Sequence, residues 1–180
     1  MRRRLAASVV LIALALGGCT AAPQSSTPAT PKPAKTSALN SLLPTFPAKL
    51  TLANAKSLTV ATADSIQGLV AKPDIVYVDD HTKLIAATST AGSYYGVLRT
   101  ITVDKKLDPL EQAEAMEKLL VAAGWIERDT ATDKGKYLAA MSSSANGAES
   151  WFLLLGGDST NAKSPVVTVQ VASPDLTPAK

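Results

Sequence analysis

Trp151-Phe152-Leu153-Leu154-Leu155 is the run on which the fold turns. In an extended strand successive side chains point to opposite faces, so Trp151, Leu153 and Leu155 share one side while Phe152 and Leu154 share the other. Both sides are then apolar, the pattern of a strand inside a sheet with something covering each of its faces. The serine-, asparagine- and glycine-rich residues before it, and Gly156-Gly157-Asp158 after it, read as turns.

On either side the pattern repeats in weaker form. Residues 137–141 and 166–172 read as strands, the second carrying a half-buried stripe of Val167, Val169 and Val171. The polar run before Lys136 is a loop or a weak edge strand. Further upstream lies the clearest helix start, Asp108-Pro109-Leu110-Glu111, where Asp108 can accept from free amides, Pro109 suits the first helical position and Glu111 sits where a capping box places its acid. Ala113, Met116, Leu119, Leu120 and Ala123 share one face, Glu111, Glu114 and Lys118 lie opposite, and Gly124 is the stop. The spacing predicts a helix of about 15 residues, roughly 22 Å long, lying across a sheet.

The first half of the chain has a similar order. Ala63, Ile66, Leu69 and Val70 recur at helical spacing between Thr59 and Lys72, and Pro73 ends that pattern. Ile75-Val76-Tyr77-Val78 and Leu84-Ile85-Ala86-Ala87-Thr88 then flank the polar Asp79-Asp80-His81-Thr82, a hairpin signature. Residues 94–103 form the longest alternating segment, with Tyr95, Val97, Ile101 and Val103 on one side. Arg99 falls on that apolar side. Either its stem covers the core edge while the guanidinium reaches solvent, or it is a functional charge.

Lys83-Leu84-Ile85-Ala86-Ala87-Thr88-Ser89 resembles Lys136-Tyr137-Leu138-Ala139-Ala140-Met141-Ser142, each followed by a small-residue turn and an aromatic pair, Tyr94-Tyr95 or Trp151-Phe152. Two pseudo-repeated helix-plus-strands units, or a chance likeness in a chain rich in alanine, serine and threonine, are the alternatives. In either case the expected fold is α+β: an antiparallel sheet of about six strands with one or two helices packed on it.

Chemical motifs are scarce. His81 is the lone histidine, which rules out a site with two imidazole ligands, and adjacent Asp79-Asp80-His81 side chains in a turn diverge rather than converge on a metal. No Gly-x-Ser-x-Gly elbow is present, and Gly156-Gly157-Asp158 lacks the remaining glycines and the lysine of a phosphate loop. Neither a catalytic residue, a metal site nor a cofactor is expected. Trp125, Trp151 and Arg99 are the candidate ligand-binding residues, against a reading of both indoles as core.

The N-terminus carries the most specific signal. Arg2, Arg3 and Arg4 precede an unbroken apolar and small run from Leu5 to Leu16, too short to span a bilayer and about as long as a secretory core segment. Leu16-Gly17-Gly18-Cys19 follows, and this arrangement resembles the lipobox of bacterial lipoproteins. The resemblance implies lipid attachment at the Cys19 sulfur, cleavage between Gly18 and Cys19, and anchoring on the extracytoplasmic face of the cell membrane. Removing Arg2, Arg3 and Arg4 from the 18 basic residues leaves 15 against 15 acidic ones. The sequence pI of about 9.0 therefore gives no argument for nucleic acid, and no basic stripe supplies one.

With Cys19 committed to lipid, no cysteine remains for a disulfide, and the fold must rest on core burial. The expected organisation is a signal peptide (1–18), a lipidated cysteine and proline-, serine- and threonine-rich disordered tether (19–41), a single α+β domain (42–175) and a flexible tail (176–180). The expected function is a membrane-anchored, non-enzymatic binding or interaction module for an apolar ligand or an envelope protein. The alternative is an envelope hydrolase using His81 with a serine or carboxylate partner.

Overall fold

The computed structural model describes Leu39 and residues 41–87 and 92–176, all within one unit of the chain. The strands are β1 (Ile75–Ala86), β2 (Ser93–Val103), β3 (Ile126–Asp133), β4 (Lys136–Ser142), β5 (Phe152–Asp158) and β6 (Val166–Ala172), and the helices are α1 (Leu52–Gln67) and α2 (Pro109–Ala122). All six strands form one antiparallel sheet in the order β1-β2-β6-β5-β4-β3. The fold is the α+β arrangement that the sequence predicts, with the doubly apolar run inside the sheet as β5.

Both helices lie on one face. α1 packs over β2 and β6, and α2 over β5, β4 and β6. Beneath them Val97, Ile101, Val167, Val169, Leu153, Leu155, Ala139 and Met141 form a continuous buried layer, each large side chain contributing about 1.5–3 kcal/mol by leaving water.

α1 begins at Leu52, well before the predicted Thr59, because Thr51 and Asn54 cap it reciprocally: Asn54 N–H donates to Thr51 Oγ1, and Thr51 N–H donates to Asn54 Oδ1. Asparagine stands here where a capping box usually has an acid or glutamine. The buried stripe of α1 is Ala55, Thr59, Thr62, Ala63 and Ile66, too small and too polar for a hydrophobic count to find. α2 starts where predicted, with Asp108 Oδ1 accepting from the Leu110 and Glu111 amides. Leu119, expected inside, is instead exposed, while Pro109, Ala113, Met116 and Leu120 are buried.

α2 comes closest to the sheet at Gly157, which lies within β5 rather than in the turn that Gly156-Gly157-Asp158 suggests. A Cβ on Gly157 would stand 2.3 Å from the Pro109 carbonyl oxygen and 2.7 Å from its carbonyl carbon. The missing side chain is what lets the first turn of α2 seat on the sheet. Gly157→Ala is accordingly expected to lower stability by about 1–3 kcal/mol, read as a lower urea midpoint; an unchanged midpoint would mean that α2 does not rest there. At the other side of this seat, the Tyr137 hydroxyl donates to the Glu117 carboxylate of α2. Burial first, and then Glu117, hold the phenol well above its ordinary pKa. The resulting stabilisation is fully present below about pH 10 and is lost as pH rises beyond it.

Two segments outside these strands and helices α1 and α2 close the core. Leu42 is buried, its carbonyl accepts from Trp125 Nε1 at 2.9 Å, and Phe46 meets Trp151 edge-on with ring centroids 5.6 Å apart. Leu39 also packs on the core, before the expected domain start at 42. At the other end Leu176, placed by the sequence in the tail, bridges Ser93 through two backbone hydrogen bonds.

The edges of the sheet differ most from the sequence reading. Asp79-Asp80-His81-Thr82 is not a turn: β1 runs straight through it as an edge strand. An edge lying beyond helix cover is bathed by water and does not need apolar residues, so charged side chains are no bar to strand structure there. β3, the other edge, is exposed throughout and joins β4 through Lys134 and Gly135, both at positive φ (44° and 81°) as a type I′ hairpin requires. Each edge strand also carries a register irregularity, between Ile75 and Tyr77 and between Glu127 and Asp129. Charge and bulge together oppose pairing with a further strand.

α1 is followed by the β1–β2 hairpin and α2 by the β3–β4 hairpin, and the two hairpins form the two ends of the sheet. The architecture thus contains two helix-plus-hairpin units. The sequence likeness follows a different register, since the 83–89 stretch overlaps edge strand β1 while its counterpart is inner strand β4.

Candidate functional site

Strand alternation places β5 with its helix-facing side closed and its other side open. Phe152 and Leu154 are 45% and 38% exposed. This corrects the expectation of a cover on both faces. The registers give the make-up of the open face row by row. One row runs Gly96, Ala172, Phe152, Ser142, Ile126; the next runs Leu98, Gln170, Leu154, Ala140; a third runs Thr100, Thr168, Gly156, Leu138. Leu138 and Ile126 are 48% and 37% exposed. Three large apolar side chains from β4 and β5, Phe152, Leu154 and Leu138, therefore stand partly exposed on neighbouring positions of one side of the sheet, with Ile126 of β3 beyond Ser142.

The polar residues of this face lie mainly toward its margins. Lys136 pairs with Asp158 across β4 and β5, Nζ to Oδ2 at 3.1 Å, and the Thr160 hydroxyl and amide hold the Asp158 carboxyl below its usual pKa, with Lys136 adding to the effect. Within the face stand Ser142, buried between Phe152 and Ile126 with its hydroxyl accepting from Arg128 Nε at 2.7 Å, and Gln170. Gln170 sits half-buried in the middle of the sheet, with Leu98 on one neighbouring strand and Leu154 on the other. Among the described residues no hydrogen bond reaches its side-chain amide.

Toward the top of β2 and β6 the open face deepens into a cleft of about 500 Å³, lined by Tyr94, Phe152, Gln170, Ala172, Ser173 and Asp175 among others. Its floor includes the small side chain of Ala172, paired with Gly96 across β2 and β6, and the space over Gly96 is taken by the Ile85 side chain of β1. Its far wall is the segment after β6. Ser173 fixes that segment: its hydroxyl accepts from Tyr95 N–H and donates to the Pro174 carbonyl, both at 2.9 Å, and the bridge from Leu176 to Ser93 continues the tie. The cleft is of the size that small ligands occupy.

The residues singled out by sequence lie elsewhere. Trp125 and Trp151 are buried, with their indole N–H groups given to the Leu42 carbonyl and to Thr59 Oγ1 (3.1 Å), so neither ring offers a face to a ligand. Arg99 follows neither sequence alternative. Its side chain is buried to the tip, Nη2 lying 2.7 Å from Asp64 Oδ1 of α1 and Nε 3.0 Å from Asp80 Oδ2 of β1. Those two carboxylates stay partly in water, and the guanidinium clamps the edge strand to α1. His81 lies on the open side of β1, exposed, with Nε2 3.0 Å from Asp79 Oδ2. No serine hydroxyl reaches it among the described residues, and of the two partners the hydrolase alternative names, a serine or a carboxylate, the structure places the Asp79 carboxylate beside it. Gly18 and Cys19 lie outside the described residues, as do the signal peptide, most of the tether and residues 177–180.

The open-face patch had a signal in the sequence, the Phe152/Leu154 side of the opening run, but periodicity cannot distinguish a covered apolar face from a bare one. The cleft had none, because its lining comes from β2, β5, β6 and the segment beyond. Among the described residues no group of three or more potential metal ligands gathers, and no helix is long and apolar enough to cross a membrane. Comparisons with protein families, curated proteins and solved structures find no match to this chain.

Proposed function

We propose that this chain is a non-enzymatic binding module, tethered through Cys19 to the extracytoplasmic face of a bacterial membrane and working through the open face of its sheet. The observation that carries the reading is the strip formed by Phe152, Leu154 and Leu138, with Ile126 beyond Ser142, which stands partly exposed although both helices cover the opposite face. Large contiguous apolar patches on a folded domain mark sites of interaction. The charged, bulged edges β1 and β3 make strand addition a poor route to a partner, which leaves the face itself. The balanced charge of the mature chain and the proline-rich run after Cys19 fit a domain held near a membrane and approached by neutral or apolar surfaces.

The neutral apolar dye Nile red tests the site. Its fluorescence is expected to rise on mixing with the native protein and to lose most of that rise in the double variant Phe152→Ser, Leu154→Ser. Each side chain is only about half exposed, so the variant should lose about 1 kcal/mol of unfolding free energy per site and remain folded, which its circular dichroism spectrum checks. Undiminished dye binding by a folded double variant would refute the open face as the site.

A further inference from the structure

The chemistry of the cleft narrows the ligand class, and this step rests on the open face being the binding surface. Two aromatic side chains, Tyr94 and Phe152, line the cleft together with the small Ala172. Between the apolar rows lies Gln170, an amide with two donors and one acceptor and no hydrogen bond among the described residues. Asp175, at the rim, is the one charged residue of the lining among the described residues.

A purely apolar occupant such as an acyl chain would cover the Gln170 amide without giving it a partner, an unfavourable exchange. A strongly polar occupant would waste the aromatic surface. Asp175 adds a negative charge that opposes anions. The occupant that answers all of these has an apolar face to lie against Phe152 or Tyr94, hydroxyl groups on its edge to exchange hydrogen bonds with Gln170, and no negative charge. We propose that the cleft binds a neutral saccharide, with one pyranose ring laid on an aromatic side chain by its C–H face and its equatorial hydroxyls paired with Gln170 and the Asp175 carboxylate. The cleft, about 500 Å³, has room for more than one ring.

Saturation-transfer difference NMR on the full chain tests this, with cellobiose, maltose and N,N′-diacetylchitobiose as probes and hexanol as the apolar comparison. At least one disaccharide is expected to receive saturation on its ring C–H protons, with affinity reduced about tenfold or more in Gln170→Ala and in Phe152→Ala, a change typical of a lost charged or paired hydrogen bond or aromatic contact. Both positions lie on the open face of the sheet, each partly exposed, and the amide spectrum of each variant checks that it is folded. Saturation of hexanol but of none of the sugars would overturn the saccharide assignment while leaving the open face as a binding surface. Sugar binding indifferent to both variants would overturn it by placing the ligand elsewhere. Silence from all four probes would overturn both the saccharide and the open-face reading.

Discussion

Replacing Trp151 by alanine is expected to lower the unfolding free energy by about 3–5 kcal/mol, a large part of the 5–15 kcal/mol typical of a domain. Trp151 is fully buried immediately before β5. It touches three separate parts of the chain: its indole N–H donates to Thr59 Oγ1 of α1, its ring receives the edge of Phe46, and its backbone joins the turn after β4 through Ser143. Truncation removes the ring volume and leaves Phe46 without its support, so the 42–50 segment should loosen along with the core. Thr59 loses a donor but keeps its own bond to the Ala55 carbonyl at 2.7 Å, so no polar group is orphaned and the loss is chiefly one of packing. Trp151→Phe separates the terms and should fall between the variant and the wild type. Urea unfolding followed by circular dichroism reads the change. A loss below about 1 kcal/mol for the alanine variant would show that α1 and the N-terminal segment are not joined through this ring.

Replacing Cys19 by alanine is expected to abolish incorporation of labelled palmitate altogether. A diacyl anchor gains about 0.8 kcal/mol for each buried methylene, and two chains hold a protein at a membrane where one is marginal. The account makes the sulfur of Cys19 the sole attachment point, since the sequence holds one cysteine. Mass spectrometry of the wild-type N-terminus should find acylated Cys19 as the first residue, with residues 1–18 removed. Palmitate labelling that survives in the variant, or a mature chain beginning elsewhere, would contradict the anchoring proposal.

What the sequence disclosed and what it hid follow from the range of each interaction. Asp108, Pro109 and Gly124 act within one or two turns of α2, and the helix ends where they indicate. The doubly apolar 151–155 run states that β5 is internal, because no edge strand needs two greasy sides. Edge strand β1 was misread at Asp79-Asp80-His81 because a strand's tolerance of charge depends on what lies beside it, which sequence does not say. Gly157 was misread for the same reason: a glycine that makes room for the Pro109 carbonyl looks locally like one that makes a turn. The small buried stripe of α1 reveals itself only through Trp151, 92 residues away, which needs the Thr59 hydroxyl. Arg99 was placed on the correct side of β2, but its carboxylate partners come from α1 and β1, so the clamp appears only once those elements meet.

The central claim is that ligands meet the bare face of the sheet and not the space between sheet and helices. Amide chemical-shift mapping of the labelled protein during a hexanol titration tests it most directly. The account predicts shifts concentrated on Leu98, Leu138, Ala140, Phe152, Leu154 and Ala172, with Ala113, Met116 and Leu120 of α2 and Ala63 and Ile66 of α1 unmoved. Shifts concentrated on those helix residues and on Val169 or Leu155 beneath them would place the ligand inside the core and contradict the account.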